Sequence, residues 1–308
     1  MPPTSSLAQL ERFDHLLQRA ESLLARVEAQ LPPPAVLPDW TRVIACRWKV
    51  RQGRGALAPV RYLHPIRLAD LTGIDEQKAR VVANTRQFVE GKPANNVLLT
   101  GTRGSGKSSL IKALLNEFAG QGLRLIEVDK EDLTDLAEII DLIAERPEKF
   151  LVFCDDLSFE AGENAYKALK SALDGSIAAP PDNALIYATS NRRHLMPDYF
   201  ADNLENARAD NGEIHPGEAV EEKVSLSERF GLWISFYPFD QDAYLAIAAH
   251  WLAGFGFSPK AIAEASRDAL NWALSRGSRS GRVAWQFARD YAGQNAKQNA
   301  KTRKTSSS

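Results

Sequence analysis

The sequence predicts an α/β fold in three layers: a parallel sheet built around a phosphate-binding loop, a C-terminal helical lid, and a small N-terminal accessory region. Two observations carry this prediction. The run Gly101-Thr102-Arg103-Gly104-Ser105-Gly106-Lys107-Ser108 fits the G-x-x-x-x-G-K-[ST] pattern in its required setting. Asn96 to Thr100 before it reads as a buried strand, and Ser109 to Phe118 after it as a helix with one apolar face. From there strand-like and helix-like runs alternate, the pattern of a parallel sheet wrapped by helices. The 308 residues, 44% hydrophobic and 25% charged, are ordinary for a soluble chain of one or two domains.

At the N-terminus, Leu7, Leu10, Phe13, Leu17, Leu24 and Val27 recur at helical spacing between charges, and Pro32-Pro33-Pro34 stops that helix. Ala35 to Pro65 carries Trp40, Trp48 and Tyr62 but no motif, so residues 1–67 read as a helical or mixed accessory region. A nucleotide-binding domain is expected over residues 68–239. Its strands are Leu123 to Asp129, Phe150 to Asp156, Ala184 to Thr189 and Leu232 to Phe236. Helices are expected over Leu133 to Ala144 and Glu163 to Leu173. Residues 240–292 are helical in pattern with breaks at Gly254-Phe255-Gly256 and from Gly277 to Gly281, which reads as a lid. Residues 293–308 read as a disordered, mildly basic tail.

The loop residues Gly101 to Ser108, with Ser109 opening the helix, are expected to bind the phosphates of a nucleotide. Backbone N–H groups and the helix N-terminus face the anion. Lys107 neutralises the outer phosphates and the Ser108 hydroxyl ligates Mg²⁺. Asp155-Asp156 closes an apolar strand at the sheet end where such folds place their chemistry. Asp155 is expected on the metal and Asp156 as the acid that polarises water. At the end of the next strand, Asn191 is chosen over Thr189 as the polar group between phosphate and water. Many ATPases carry Glu where Asp156 stands, and a misplacement of about 1 Å can cost ~100-fold in rate, which leaves slow turnover open as an alternative.

Two later motifs, Ser227-Glu228-Arg229-Phe230-Gly231 and Gly277-Ser278-Arg279-Ser280-Gly281-Arg282-Val283-Ala284, complete an order of elements that resembles the AAA+ ATPases. The resemblance covers about residues 68–290. Val152 to Glu160 and Tyr187 to Leu195 resemble, more narrowly, a bacterial branch of these ATPases whose function is not established. The resemblance implies ATP and Mg²⁺ as ligands and assembly into a ring or partial ring. It implies that Arg229 reaches the neighbouring subunit's nucleotide and that Arg282, preferred to Arg279, touches phosphate in its own subunit. It also implies that the segment from Asp70 to Asp75, with Gly73 and Ile74, contacts the adenine. The expected function is an ATPase that remodels or assembles a macromolecular partner. The alternatives are a loader-type ATP switch and, less favoured, a small-molecule phosphotransferase.

Other features narrow the field. The connection Val128 to Leu133 has no aromatic residue and no glycine, unlike the pore loops of threading unfoldases. A net charge of −1 gives no indication of nucleic acid. Two cysteines and no apolar run of membrane-spanning length point to a reducing cytoplasm. His194, His215 and His250 lack paired ligand spacing, so no second metal is expected. An acidic insertion over residues 198–223 reads as a loop.

Overall fold

A computed structural model describes residues 4–28, 37–51, 53–158, 164–174, 181–191 and 228–295. The chain divides into two units, Met1–Leu37 and Pro38–Ser308. The first holds helix α1, Thr4–Glu28.

The second unit contains strands β1 (Ala45–Arg51), β2 (Arg54–Pro59), β3 (Val97–Gly101), β4 (Leu123–Val128), β5 (Lys149–Cys154), β6 (Ala184–Ser190) and β7 (Leu232–Phe236). They form one seven-stranded sheet in the order β2-β1-β4-β5-β6-β3-β7. Only the β1–β2 pair is antiparallel. The phosphate-loop strand β3 therefore lies between β6 and β7, with β5 one strand further away. Helices α2 (Asp75–Val89), α3 (Lys107–Phe118), α4 (Leu136–Ile143) and α5 (Asn164–Asp174) pack on the sheet.

Parallel strands covered on both faces read as continuous apolar runs rather than alternating ones. Phe150 to Cys154 of β5 is such a run. Phe150, Val152 and Cys154 face one core with Ile139 and Leu169, while Leu151 and Phe153 face the other with Leu110, Leu114 and Val81. Burial at both surfaces fixes the register, because a slip of one residue would exchange the two faces.

Residues 38–67 correct the expected separate accessory region. β1 pairs with β4 from Ala45 opposite Leu125, and β2 closes the sheet edge. Cys46, Trp48 and Leu57 join the core under α4, and Trp40 packs edge-on against Phe150 with ring centres 5.0 Å apart. The Trp48 indole N–H donates to Asp135 Oδ2 at 2.9 Å. Charged residues at 47, 49 and 51 interrupt the apolar signal of this half-exposed strand, one in from the sheet edge, which is why it is hard to read in sequence.

The C-terminal helices α6 (Gln241–Gly254), α7 (Pro259–Ser275) and α8 (Gly281–Gln294) have a core of their own, including Tyr244, Leu252, Ala269 and Phe287. Each begins on a side-chain cap: Asp240 accepts from Ala243 N, Ser258 from Ala261 N and Ser280 from Val283 N. Helix α8 runs to Gln294, past the expected start of the tail. Residues 296–308 and the acidic insertion lie outside the described residues. Among the described residues, no helix is long and apolar enough to cross a membrane.

Candidate functional site

The loop after β3 turns under constraints that only glycine meets. Gly101 has φ +127°, and a Cβ there would sit 1.9 Å from the Phe236 carbonyl oxygen on β7. Gly104 has φ +74°, and a Cβ would lie 2.8 Å from Ser280 at the head of α8. The Gly281 N–H donates to the Gly104 carbonyl at 2.9 Å, so the lid is clasped directly to the phosphate loop.

Lys107 opens α3 almost fully buried, at 5% exposure. Its ammonium donates to the Gly101 and Thr102 carbonyls, both at 2.8 Å, and to Asn191 Oδ1 at 3.0 Å. Burial pulls its pKa down to about 8, against the upward pull of Asp156 and Asp155; Arg103 and Arg282 add to the lowering. A buried ammonium held mainly by neutral oxygens is a poorly compensated charge, and an anion is its natural complement.

The ends of β5 and β6 meet beside it. Asp155 Oδ1 accepts from Ser108 Oγ at 2.6 Å and from Thr189 Oγ1 at 2.5 Å. The same Thr189 oxygen accepts from the Asp156 N–H at 2.9 Å. Asp156 is the one non-glycine residue with positive φ, +55°, among the described residues. Its side chain accepts from Asn191 Nδ2 and lies 3.7 Å from Arg103 Nη2. Asn191 thus links Lys107 to Asp156. Thr189, ranked second in the sequence, touches both acids.

These groups line one cavity of about 740 Å³ between sheet and lid. Its wall includes Arg103 to Ser109, Asp155, Asp156, Thr189, Asn191 and Arg282. The far end is apolar and aromatic: Ile66, Leu71, Ile74, Phe239, Trp251 and Trp285, the last two in edge contact at 4.7 Å. Asp70 and His250 join the body to the lid here, with Nε2 to Oδ1 at 3.3 Å. Asp70 accepts from the Arg67 N–H at 2.8 Å, and these partners hold its carboxyl below the usual range in spite of burial. Phe239, His250, Trp251 and Trp285 escaped sequence reasoning as parts of this site because nothing marks a lone aromatic ring as a wall residue until the lid folds over it.

Ile74 lines the cavity; Gly73, its neighbour, packs against Phe239. Gly101 serves through its carbonyl to Lys107, and Thr102 lines an adjoining cleft with Arg279. Arg282 reaches the main cavity and Arg279 does not. Arg229 does not line the cavity either. It lies beside Asp174 at the end of α5, with Nε to Oδ1 at 2.5 Å.

The residues present fit Mg²⁺ and a nucleotide. Ser108 and Asp155 bring two hard oxygen donors together beside a loop whose Gly101 and Gly104 have no room for a Cβ, next to the buried Lys107 cation.

Sheet order, phosphate loop and helical lid define an α/β protein of the P-loop AAA+ fold class. The chain belongs to the family described as "Protein of unknown function (DUF815)", whose model matches residues 41–295. It is also similar to the replication factor C large subunit of Thermofilum pendens, 40% identical over 70 residues. That match covers 22% of this chain and 16% of the relative. Among solved structures, similarity extends to a chain of the E. coli MS115-1 HORMA:CdnC:Trip13 complex, at 15% identity and TM-score 0.47. It covers 72% of this chain and 90% of that one. The Thermotoga maritima RuvB Holliday junction branch migration motor is similar over 72% of this chain and 71% of its own, at 14% identity and TM-score 0.42.

Proposed function

We propose that this chain binds and hydrolyses ATP with Mg²⁺ in the cavity between sheet and lid, and that copies associate into a ring or partial ring to remodel or assemble a macromolecular partner. The supporting observation is the convergence of Lys107, Ser108, Asp155, Asp156, Thr189, Asn191 and Arg282 on one cavity with an apolar, aromatic far end. Lys107 exchanges its loop carbonyls and Asn191 for phosphate oxygens and offsets their charge. Ser108 and Asp155 hold Mg²⁺, which adds further charge neutralisation at the phosphates. Asp156 accepts the proton of the attacking water, and Asn191 orients that water beside the terminal phosphate. Arg282 brings the lid's charge to the phosphates of its own chain. Ile74, Trp251 and Trp285 offer the base an apolar slot, while Arg229 serves a neighbouring copy.

The test mixes two variants. Lys107→Ala is expected to lose ATP binding. Arg229→Ala is expected to bind ATP normally and to hydrolyse it ~10³–10⁵-fold more slowly, the usual worth of an arginine finger. Mixed, the two should recover activity, because an intact Arg229 from one serves an intact loop in the other. Absence of recovery in a preparation shown to co-assemble assigns Arg229 to its own chain through Asp174. ATPase per chain should also rise with chain concentration; a flat profile would remove the ring.

A loader-type ATP switch is the second reading. It is favoured by Asp156 itself, whose carboxylate is short and engaged by Asn191. Undetectable turnover that Asp156→Glu restores would support it.

A further inference from the structure

Residues 10–28 repeat every seven. Leu10, Leu17 and Leu24 form one column, Phe13, Ala20 and Val27 a second, and Leu16 and Leu23 a third. Arg12, Arg19 and Arg26 form a fourth, and Asp14, Glu21 and Glu28 a fifth. With 3.6 residues per turn, the three apolar columns lie side by side in an arc of about 120°. The arginine column borders that arc on one side and the carboxylate column borders it on the other.

Where its side chains are described, this face of α1 is exposed to solvent. Residues 13–24 and 26 are all exposed, including Phe13 at 61%, Leu16 at 64% and Leu24 at 60%. Leaving such a stripe in water forgoes roughly 25 cal/mol per Å² of apolar area. The repeat also speaks to what covers it. An α-helix lying on an irregular surface drifts from a period of seven, whereas supercoiled helices keep it over successive turns. Here the flanking charges keep that period as strictly as the leucines do. A partner with the same period is another α1.

The charges then choose the direction. In a parallel pair, the carboxylate flank of one helix meets the arginine flank of the next. In an antiparallel pair, acid meets acid and base meets base, which is destabilising. The apolar arc is wider than the seam of a two-stranded coil, so one copy can engage a neighbour on each flank. A parallel, head-to-tail contact of this kind is the type that closes into cyclic assemblies.

We propose that α1 is a self-association element: it packs in parallel, in register, against the α1 helices of other copies of this chain, without needing nucleotide. The proposal goes beyond the ATPase reading and stands independently of it.

Single cysteines in the full-length protein test it. Cys46 and Cys154 are buried, and burial pushes both thiols up to about 12, so the native cysteines are silent. In nucleotide-free protein at micromolar concentration with a mild thiol oxidant, Leu24→Cys should link to itself. It should do so on the order of a hundredfold faster than Ser22→Cys on the opposite face, given the millimolar effective concentration of adjacent groups. Equal rates for the two overturn the proposal. Faster linkage of Leu10→Cys to Leu24→Cys than of either to itself overturns the parallel arrangement. A charge test backs this up: Arg19→Glu with Arg26→Glu should dissociate the oligomer. Adding Asp14→Arg and Glu21→Arg, which exchanges the flanks, should restore it. If neither change alters the mass in solution, the flanks do not pair. Linkage at Leu24→Cys with ATPase independent of concentration keeps α1 association and fails the ring. Concentration-dependent ATPase without linkage fails the α1 contact alone.

Discussion

Removing one hydroxyl should disconnect the two acids of the site. Thr189 is 1% exposed, and its Oγ1 bonds both the Asp155 carboxylate, at 2.5 Å, and the Asp156 N–H, at 2.9 Å. Thr189→Val keeps the shape and deletes both bonds. A hydrogen bond to a charged group is worth about 1.5–3 kcal/mol and one between neutral groups about 1 kcal/mol. The left-handed backbone of Asp156, at φ +55°, carries a penalty of about 1–2 kcal/mol that the second bond offsets. Without it, Asp156 relaxes and its carboxylate leaves the position set by Asn191. The expected stability loss is about 2–4 kcal/mol in denaturant unfolding. A carboxylate displaced by about 1 Å should lower kcat roughly a hundredfold. Nucleotide affinity should change only a few-fold, because Lys107 and the loop are untouched, and Thr189→Ser should recover most of the turnover. Unchanged kcat in a folded Thr189→Val protein would refute the claim that this hydroxyl holds the catalytic geometry.

Three further outcomes follow from the same geometry. Because Lys107 titrates near 8 when folded against an ordinary 10.5, the folded chain binds fewer protons than the unfolded one between those values. Its contribution to stability therefore rises from pH 8 to 10.5, while ATP affinity falls above pH 8 by at most about tenfold per unit; calorimetry in two buffers should show proton uptake on binding at pH 9. Asp155→Ala should lose Mg²⁺-dependent affinity, whereas Asp156→Asn should keep affinity and lose turnover, as separate binding and single-turnover measurements would show; equal loss of binding would contradict the division of roles. Trp48→Ala, at a site with 0% exposure, should cost about 3–5 kcal/mol, comparable with other large-to-small core changes, and a loss below 1 kcal/mol would deny β1 its place in the core.

The parts of this protein legible in its sequence are those whose physics is local. The phosphate loop is contiguous, its glycines are demanded by backbone angles within a few residues, and its lysine and serine follow directly. The strands bearing Asp155 and Thr189 announce themselves because burial on both faces leaves uninterrupted apolar runs. The lid helices show in their breaks at Gly254 and Gly277. What escaped is set by pairings across the fold. Trp48 meets Asp135, 87 residues away; Asp70 meets His250 at a separation of 180; Arg229 meets Asp174 at 55. No periodicity records such partners, because each is created when strands and helices far apart in sequence come to lie side by side. The same reason hid strand β1, between β2 and β4, whose charged residues face away from the sheet's core while Cys46 and Trp48 enter it. It also made Thr189 a losing rival to Asn191 for a single role: two residues apart at a strand end, they take complementary positions only once β5 supplies Asp155 and Asp156 opposite them.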